Sequence, residues 1–160
     1  YTDVKFHEQA LENFTASYIY LKYNATGATI EDADHTTIGT YAFSGSKIES
    51  VTLGEAITTV EEFAFYDCDA LTSITIPSSV KSIRYSAFEC CRSLTKATIN
   101  IQTPFAIYEV FDNTNNCPIY VPNESLEAYK TTEGWSDYAD RIFGIDVEGS
   151  VVGPGTENPD

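Results

Sequence analysis

The chain has 160 residues and a formal net charge of −15, with 42% hydrophobic and 21% charged residues. That length suits one domain with a sizeable core. Its nine Lys and Arg are scattered, which excludes a binder of nucleic-acid backbones and disfavours anionic lipid, and no run of about 18 apolar residues offers a membrane span.

The sequence begins at Tyr1 rather than Met and shows no leader pattern, so it reads as a mature or trimmed segment. In the first stretch, Phe6, Ala10, Leu11 and Phe14 have helical spacing, and "YIYLKY" (18–23) alternates like a strand. Residues 1–34 are therefore expected to form an N-terminal cap and a degenerate first repeat, whose strand is "ATI" (28–30).

From residue 35 to 122 the chain repeats itself. An offset of 23 superposes Ile48/Leu71/Leu94, Val51/Ile74/Ala97, Leu53/Ile76/Ile99 and Ile57/Val80/Thr103. Offsets of 22 and 23 superpose Ile38/Val60/Ile83, Ala42/Ala64/Ala87 and Phe43/Phe65/Phe88. Of these 21 positions 20 are apolar, where composition alone supplies about nine, so the period is a repeat unit of about 23 residues. Each unit follows L-x-x-L-x-L, the pattern of leucine-rich repeats. In "VTL", "ITI" and "ATI" alternate residues face opposite sides of a strand. Val51, Leu53, Ile74, Ile76 and Ile99 point inward and the Thr between them outward. Identical strands at a fixed period stack in parallel, and Phe43, Phe65 and Phe88 form a second buried wall with a small Ala beside each. Pro77 and Pro122 end strands because they cannot donate to the ladder, and "IYV" (119–121) is the last strand.

Beyond Pro122 the pattern turns helical. Asn123 is a good N-cap, Leu126, Tyr129 and Lys130 share a face, Gly134 stops that helix, and Ser136 can cap a second through Tyr138 and Ile142. Residues 123–145 are read as a helical cap in which Trp135 covers the end of the last repeat. Residues 146–160 have the Gly/Pro/acidic composition of a linker or tail. The expected fold class is an α/β repeat solenoid: a short leucine-rich-repeat stack of parallel strands with helical caps at the ends.

The residues "IGTYAFSGSKIESVTL", "VEEFAFYDCDALTSITIPSSV" and "IRYSAFECCRSLTKATI" resemble BspA-like leucine-rich repeats, and "IYVPNESLEAYKTTEGWSDYADRI" is similar to the cap that ends such arrays. The family pattern I-x-x-x-A-F-x-x-C-x-x-L-x-x-I-x-I-P falls on Val60, Ala64, Phe65, Cys68, Leu71, Ile74, Ile76 and Pro77, with Gly45 standing where Cys belongs in the first full repeat. The resemblance implies a non-enzymatic bacterial surface or secreted protein that adheres to host or bacterial surface proteins.

Chemistry-bearing groups are few. Cys68 and Cys91 share a repeat position one rung apart, close enough for a disulfide, although buried free thiols are the commoner fate of such a column. Cys90 and Cys117 have no obvious partner. No metal-ligand spacing is present, and "EDADH" (31–35) and "DNTNN" (112–116) read as solvated acidic or polar turns rather than metal sites. The three N-x-[ST] triplets, at Asn13, Asn24 and Asn123, are too small an excess over chance to be evidence of glycosylation. With no nucleophile elbow, phosphate loop or H-E-x-x-H, neither an enzyme nor a cofactor is expected. The better site is the outward strand face, expected to be concave, in two columns: Ser50, Ser73 and Lys96, then Thr52, Thr75 and Thr98 with Tyr120 at the end. Thr also simply suits an exposed strand. A glycan is the alternative partner, through exposed rings such as Tyr41, Tyr66, Tyr85 and Tyr120. A passive spacer is a third reading.

Overall fold

The computed structural model describes residues 21–24, 27–30 and 36–152. The helix expected from Phe6 to Phe14, the "EDADH" turn and the end of the tail lie outside the described residues. Two sheets carry the repeat. The larger has eight strands in the order β1 (Leu21–Asn24), β2 (Gly27–Ile30), β4 (Ser50–Leu53), β6 (Ser73–Ile76), β8 (Lys96–Ile99), β9 (Ile119–Pro122), β10 (Ile142–Ile145) and β11 (Val151–Val152), and the smaller has three, β3 (Thr37–Ile38), β5 (Thr59–Val60) and β7 (Ser82–Ile83).

The long-sheet strands of the repeat are β2 (Gly27–Ile30), β4 (Ser50–Leu53), β6 (Ser73–Ile76), β8 (Lys96–Ile99) and β9 (Ile119–Pro122). All pair in parallel, Thr29 with Thr52, Thr52 with Thr75, Thr75 with Thr98 and Thr98 with Tyr120. This register is the offset read from the sequence. One β-strand is shared per repeat because each "VTL"-type triplet buries its first and third residues. Val51, Leu53, Ile74, Ile76, Ala97 and Ile99 are all buried, and Thr52 between them is exposed. The edge strand β1 (Leu21–Asn24) is different: it folds back on β2 as an antiparallel hairpin.

The small sheet comprises β3 (Thr37–Ile38), β5 (Thr59–Val60) and β7 (Ser82–Ile83), also parallel and one repeat apart. It stops at β7, where Lys81 donates its N–H to Thr58 one rung back.

Between the sheets lies the wall of turns. Phe43, Phe65 and Phe88 are buried and stacked face to face, with centroids 4.9 Å apart at both steps. That spacing matches the ~4.8 Å between neighbouring strands, so rings and backbone advance together. Backbone bonds follow the same column, from Phe43 N–H to Ala64 and from Phe65 N–H to Ala87. The column continues past the three rings anticipated from the sequence. Phe111 stacks on Phe88 at 5.6 Å, and Trp135 packs on Phe111 at 5.9 Å. Each turn also holds two residues in the left-handed region: Tyr41, Phe63, Ser86 and Glu109 in one column, and Gly45, Asp67, Cys90 and Asn113 in the other. Their recurrence shows that one backbone conformation is stamped on every rung, although only Gly45 adopts it without a Cβ penalty.

Gly45 therefore belongs to the left-handed column and not to the cysteine column. Ser46 stands in the place of Cys, with its hydroxyl 3.6 Å from the Cys68 sulfur. Cys68 and Cys91 are both buried free thiols. Each donates to a carbonyl of an earlier rung, Cys68 to Phe43 at 3.0 Å and Cys91 to Phe65 at 3.1 Å.

Helices are few among the described residues. They are α1 (Leu126–Thr131) and two 3-10 segments, Asn123–Ser125 and Trp135–Arg141. Neither Asn123 nor Ser136 acts as an N-cap. Asn123 is the first residue inside its 3-10 segment, and no side-chain cap bond precedes any of the three. Ile142 is likewise not helical: it opens β10 (Ile142–Ile145), which pairs in parallel with β9, Ile142 against Ile119. The stretch read as linker from 146 onward turns tightly through Gly149 at φ 84° and returns as β11 (Val151–Val152), antiparallel to β10. Asp146 closes that turn by accepting from the N–H groups of Glu148 and Ser150, the turn use to which a short acidic side chain is suited.

Segment 123–141 covers the last rung with side chains that occupy its carbonyls. Tyr129 donates its hydroxyl to Ile101, Ser125 to Gln102, Trp135 its indole N–H to Phe105, and Arg141 reaches Phe111 and Cys117. Tyr138 accepts from the Phe111 N–H and donates to Asp112 at 2.6 Å. These are the groups that a further rung would have satisfied, and leaving them buried and unpaired would cost about 1–3 kcal/mol each.

The buried acids set the alkaline limit. Burial pushes Tyr129 up, and burial plus the bond to Asp112 pushes Tyr138 up. Burial raises Cys117, whereas in the adjacent Cys68 and Cys91 the hydrogen bond between them raises Cys91 and lowers Cys68, so their effects oppose each other. Raised folded values mean that the native state holds these protons more tightly than the unfolded chain. The resulting stability is complete below the unfolded values and is lost as pH rises above them. The urea midpoint is therefore expected to hold near neutral pH, to decline slightly above about 8.5 through Cys117, and to fall faster above about 10 through the tyrosines. A midpoint unchanged between pH 7 and pH 11 would place these groups in water.

Candidate functional site

The seven residues expected to form the site are brought to one side of the long sheet. Thr52, Thr75, Thr98 and Tyr120 are consecutive partners in the ladder, and Ser50, Ser73 and Lys96 form the parallel column two residues earlier. Alternation places them together, because Val51, Ile74, Ala97 and Ile119 between the columns are buried. Thr52 and Lys96 are exposed, and the other five are half-buried among their neighbours.

The columns are not uniform. Lys96 holds its ammonium 5.6 Å from the centre of the Tyr120 ring, within cation–π range. One strand further, Phe143 pairs with Tyr120 in the ladder, their rings 6.1 Å apart, and Phe143 stays 39% exposed. A hydroxyl ladder thus runs into an aromatic, cationic end. Sequence reading missed Phe143, because Ile142 was placed in a helix. The signal was available: Ile142 lies 23 residues after Ile119, the period of the repeat.

The four tyrosines considered as glycan contacts divide between two places, and two of them, Tyr66 and Tyr120, are half-buried. Tyr120 is on the sheet face. Tyr41, Tyr66 and Tyr85 gather on the turns around Phe63, which the sequence reading did not single out. Tyr41 lies flat on Phe63 at 4.9 Å, and Tyr66 and Tyr85 meet Phe63 edge-on at 5.6 and 5.5 Å. Tyr85 donates its hydroxyl to Glu109 at 2.7 Å. Other polar contacts are peripheral: Arg92 bridges Asp67 and Asp69, and Arg84 pairs with Glu61, all largely solvated and worth little to stability. Among the described residues no group of three His, Cys, Asp or Glu could hold a metal ion, and no helix is long and apolar enough to cross a membrane.

In-register parallel strands at a period of 22 or 23, a stacked phenylalanine wall and a polar outward face define a leucine-rich-repeat protein. The chain belongs to the BspA type leucine-rich repeat family, whose model matches in six copies over residues 12–131. A search of curated proteins found no match. Membership of this family points to a protein-interaction or surface module.

Proposed function

We propose that this chain is a non-enzymatic adhesion module of a bacterial cell surface, secreted or displayed there. As a short solenoid, it would bind a host or bacterial surface protein through the outward strand face. The observation that supports this reading is the unbroken Thr52–Thr75–Thr98–Tyr120–Phe143 ladder beside Lys96. A rigid face that changes from hydroxyls to aromatic rings carries more chemical specificity than threonine alone, and aromatic residues dominate protein-binding energy.

A carbohydrate ligand is the second reading, supported by the gathering of Tyr41, Tyr66 and Tyr85 on the turns. It is weakened by the flat stacking of Tyr41 on Phe63, which occupies one face of the Tyr41 ring. Arrays of matrix proteins and glycans test both. Capture of a protein ligand should fall at least about tenfold when Thr52, Thr75 and Thr98 are all replaced by Lys, since like-charged bulk then crosses the face. Undiminished capture by the triple variant would rule out the strand face.

A further inference from the structure

We infer that Cys68 and Cys91 are a modification site: a dithiol pair that a small disulfide such as oxidised glutathione closes into one bond between consecutive rungs. The inference is independent of what the strand face binds.

Position, contact and isolation carry it. The backbone beside the two thiols is held one rung apart by bonds from Phe65 N–H to Ala87 and from Asp67 N–H to Glu89. The neighbouring rings of Phe65 and Phe88 repeat at 4.9 Å, inside the roughly 4.4–6.8 Å that separates the Cα atoms of a disulfide. The thiols already touch, through the hydrogen bond between them. Cys91 also leans back to the rung of Cys68, where its sulfur reaches the Phe65 carbonyl at 3.1 Å. The column has no third sulfur. Ser46 flanks Cys68, and Thr114 stands one period beyond Cys91. Of the other thiols, Cys90 sits in the left-handed column and Cys117 is engaged by Thr114 and Arg141.

The exchange balances without any further reagent. The hydrogen bond from Cys91 favours the thiolate of Cys68, which makes Cys68 the attacking sulfur. It displaces one glutathione thiolate and forms a mixed disulfide. The Cys91 thiolate then attacks the Cys68 sulfur and releases the second glutathione. The protein gives up two protons and two electrons, and one small disulfide becomes two thiols. Both cysteines are fully buried, so the oxidant reaches them through local opening of the turns. In-register stacking sets the two Cβ atoms about 4.8 Å apart, slightly beyond the usual disulfide separation of about 4.5 Å or less, so closing the bond draws the rungs together.

The test incubates reduced full-length chain with about 5 mM oxidised glutathione. Urea just below the unfolding midpoint is included so that burial alone cannot block the reaction, and N-ethylmaleimide then quenches it. Free thiols are expected to fall from four to two, in a monomer lighter by two hydrogens. Trypsin should release residues 48–81 linked to residues 85–92. Two variants decide which sulfur of the adjacent pair takes part. Cys90→Gly copies Gly45 of the first turn and should leave the bond intact. Cys91→Ser copies Ser46, should abolish the bond, and should strand Cys68 as a mixed disulfide with glutathione. Four thiols surviving the treatment, a bond mapped to Cys90 or Cys117, or a cross-link that persists in Cys91→Ser would each overturn the inference.

Discussion

Phe65→Ala is expected to lower the unfolding free energy by about 3–5 kcal/mol, the largest effect of any single truncation within the repeats. Phe65 is fully buried and touches a ring on each side, Phe43 and Phe88, at 4.9 Å. Truncation leaves a cavity in the middle of a column and removes two stacking contacts, each worth about 0.5–1.5 kcal/mol beyond area. The neighbours Phe43 and Phe88 cannot close the gap, because their positions are set by backbone bonds to Ala64 and Val110. Urea unfolding followed by circular dichroism should show a lower midpoint with an unchanged slope. A loss below about 1 kcal/mol would put Phe65 outside the core.

Trp135→Ala is expected to cost a similar amount, about 3–5 kcal/mol, for a different reason. Trp135 packs on Phe111 and, edge-on at 4.8 Å, on Tyr129, and its indole N–H satisfies the Phe105 carbonyl. Removing it opens a cavity and leaves a partly buried acceptor without its donor at the same stroke. Trp135→Phe should recover most of the packing but not the hydrogen bond, so its loss should be distinctly smaller. Trp135 is also the sole tryptophan, so its fluorescence reports the C-terminal segment while circular dichroism reports the strands. Coincident transitions in the unsubstituted protein would show that the two unfold as one unit, as nearest-neighbour coupling between stacked rungs requires.

The strands and the phenylalanine wall were legible because a period multiplies weak signals. No single "ITI" is diagnostic, but Val51, Ile74 and Ala97 at one spacing are. Ala97 in an Ile column disturbed nothing, since its partners Ile74 and Ile119 lie directly beside it in the ladder. Legibility faded where the repeat kept its geometry but changed its residues. Val110 and Phe111 continue the Ala-Phe pairs and are fully buried, but Val replaces Ala there and Thr114 replaces Cys. Ile107, not Ala106, takes the buried place at that level, a one-residue shift that a fixed offset overlooks. The carbonyl-satisfying side chains Ser125, Tyr129 and Arg141 carry no periodic mark, because each was matched to an acceptor over 20 residues away. The outward columns were read in correct register, but their aromatic end was cut short by taking Ile142 as helix.

The pairing of Ile142 with Ile119 has a consequence for how such a protein comes to have a definite length. The C-terminal segment is not an appendage glued to a finished stack. It is one more unit of the same count, strand to strand, in which the turn has been rewritten as helix and Trp135 sits where the next phenylalanine ring would fall. A terminator built on the repeating frame can follow any rung whose carbonyls lie in the same places. The number of rungs, and with it the length of the outward strand face, is then free to change by whole units while the ending stays the same.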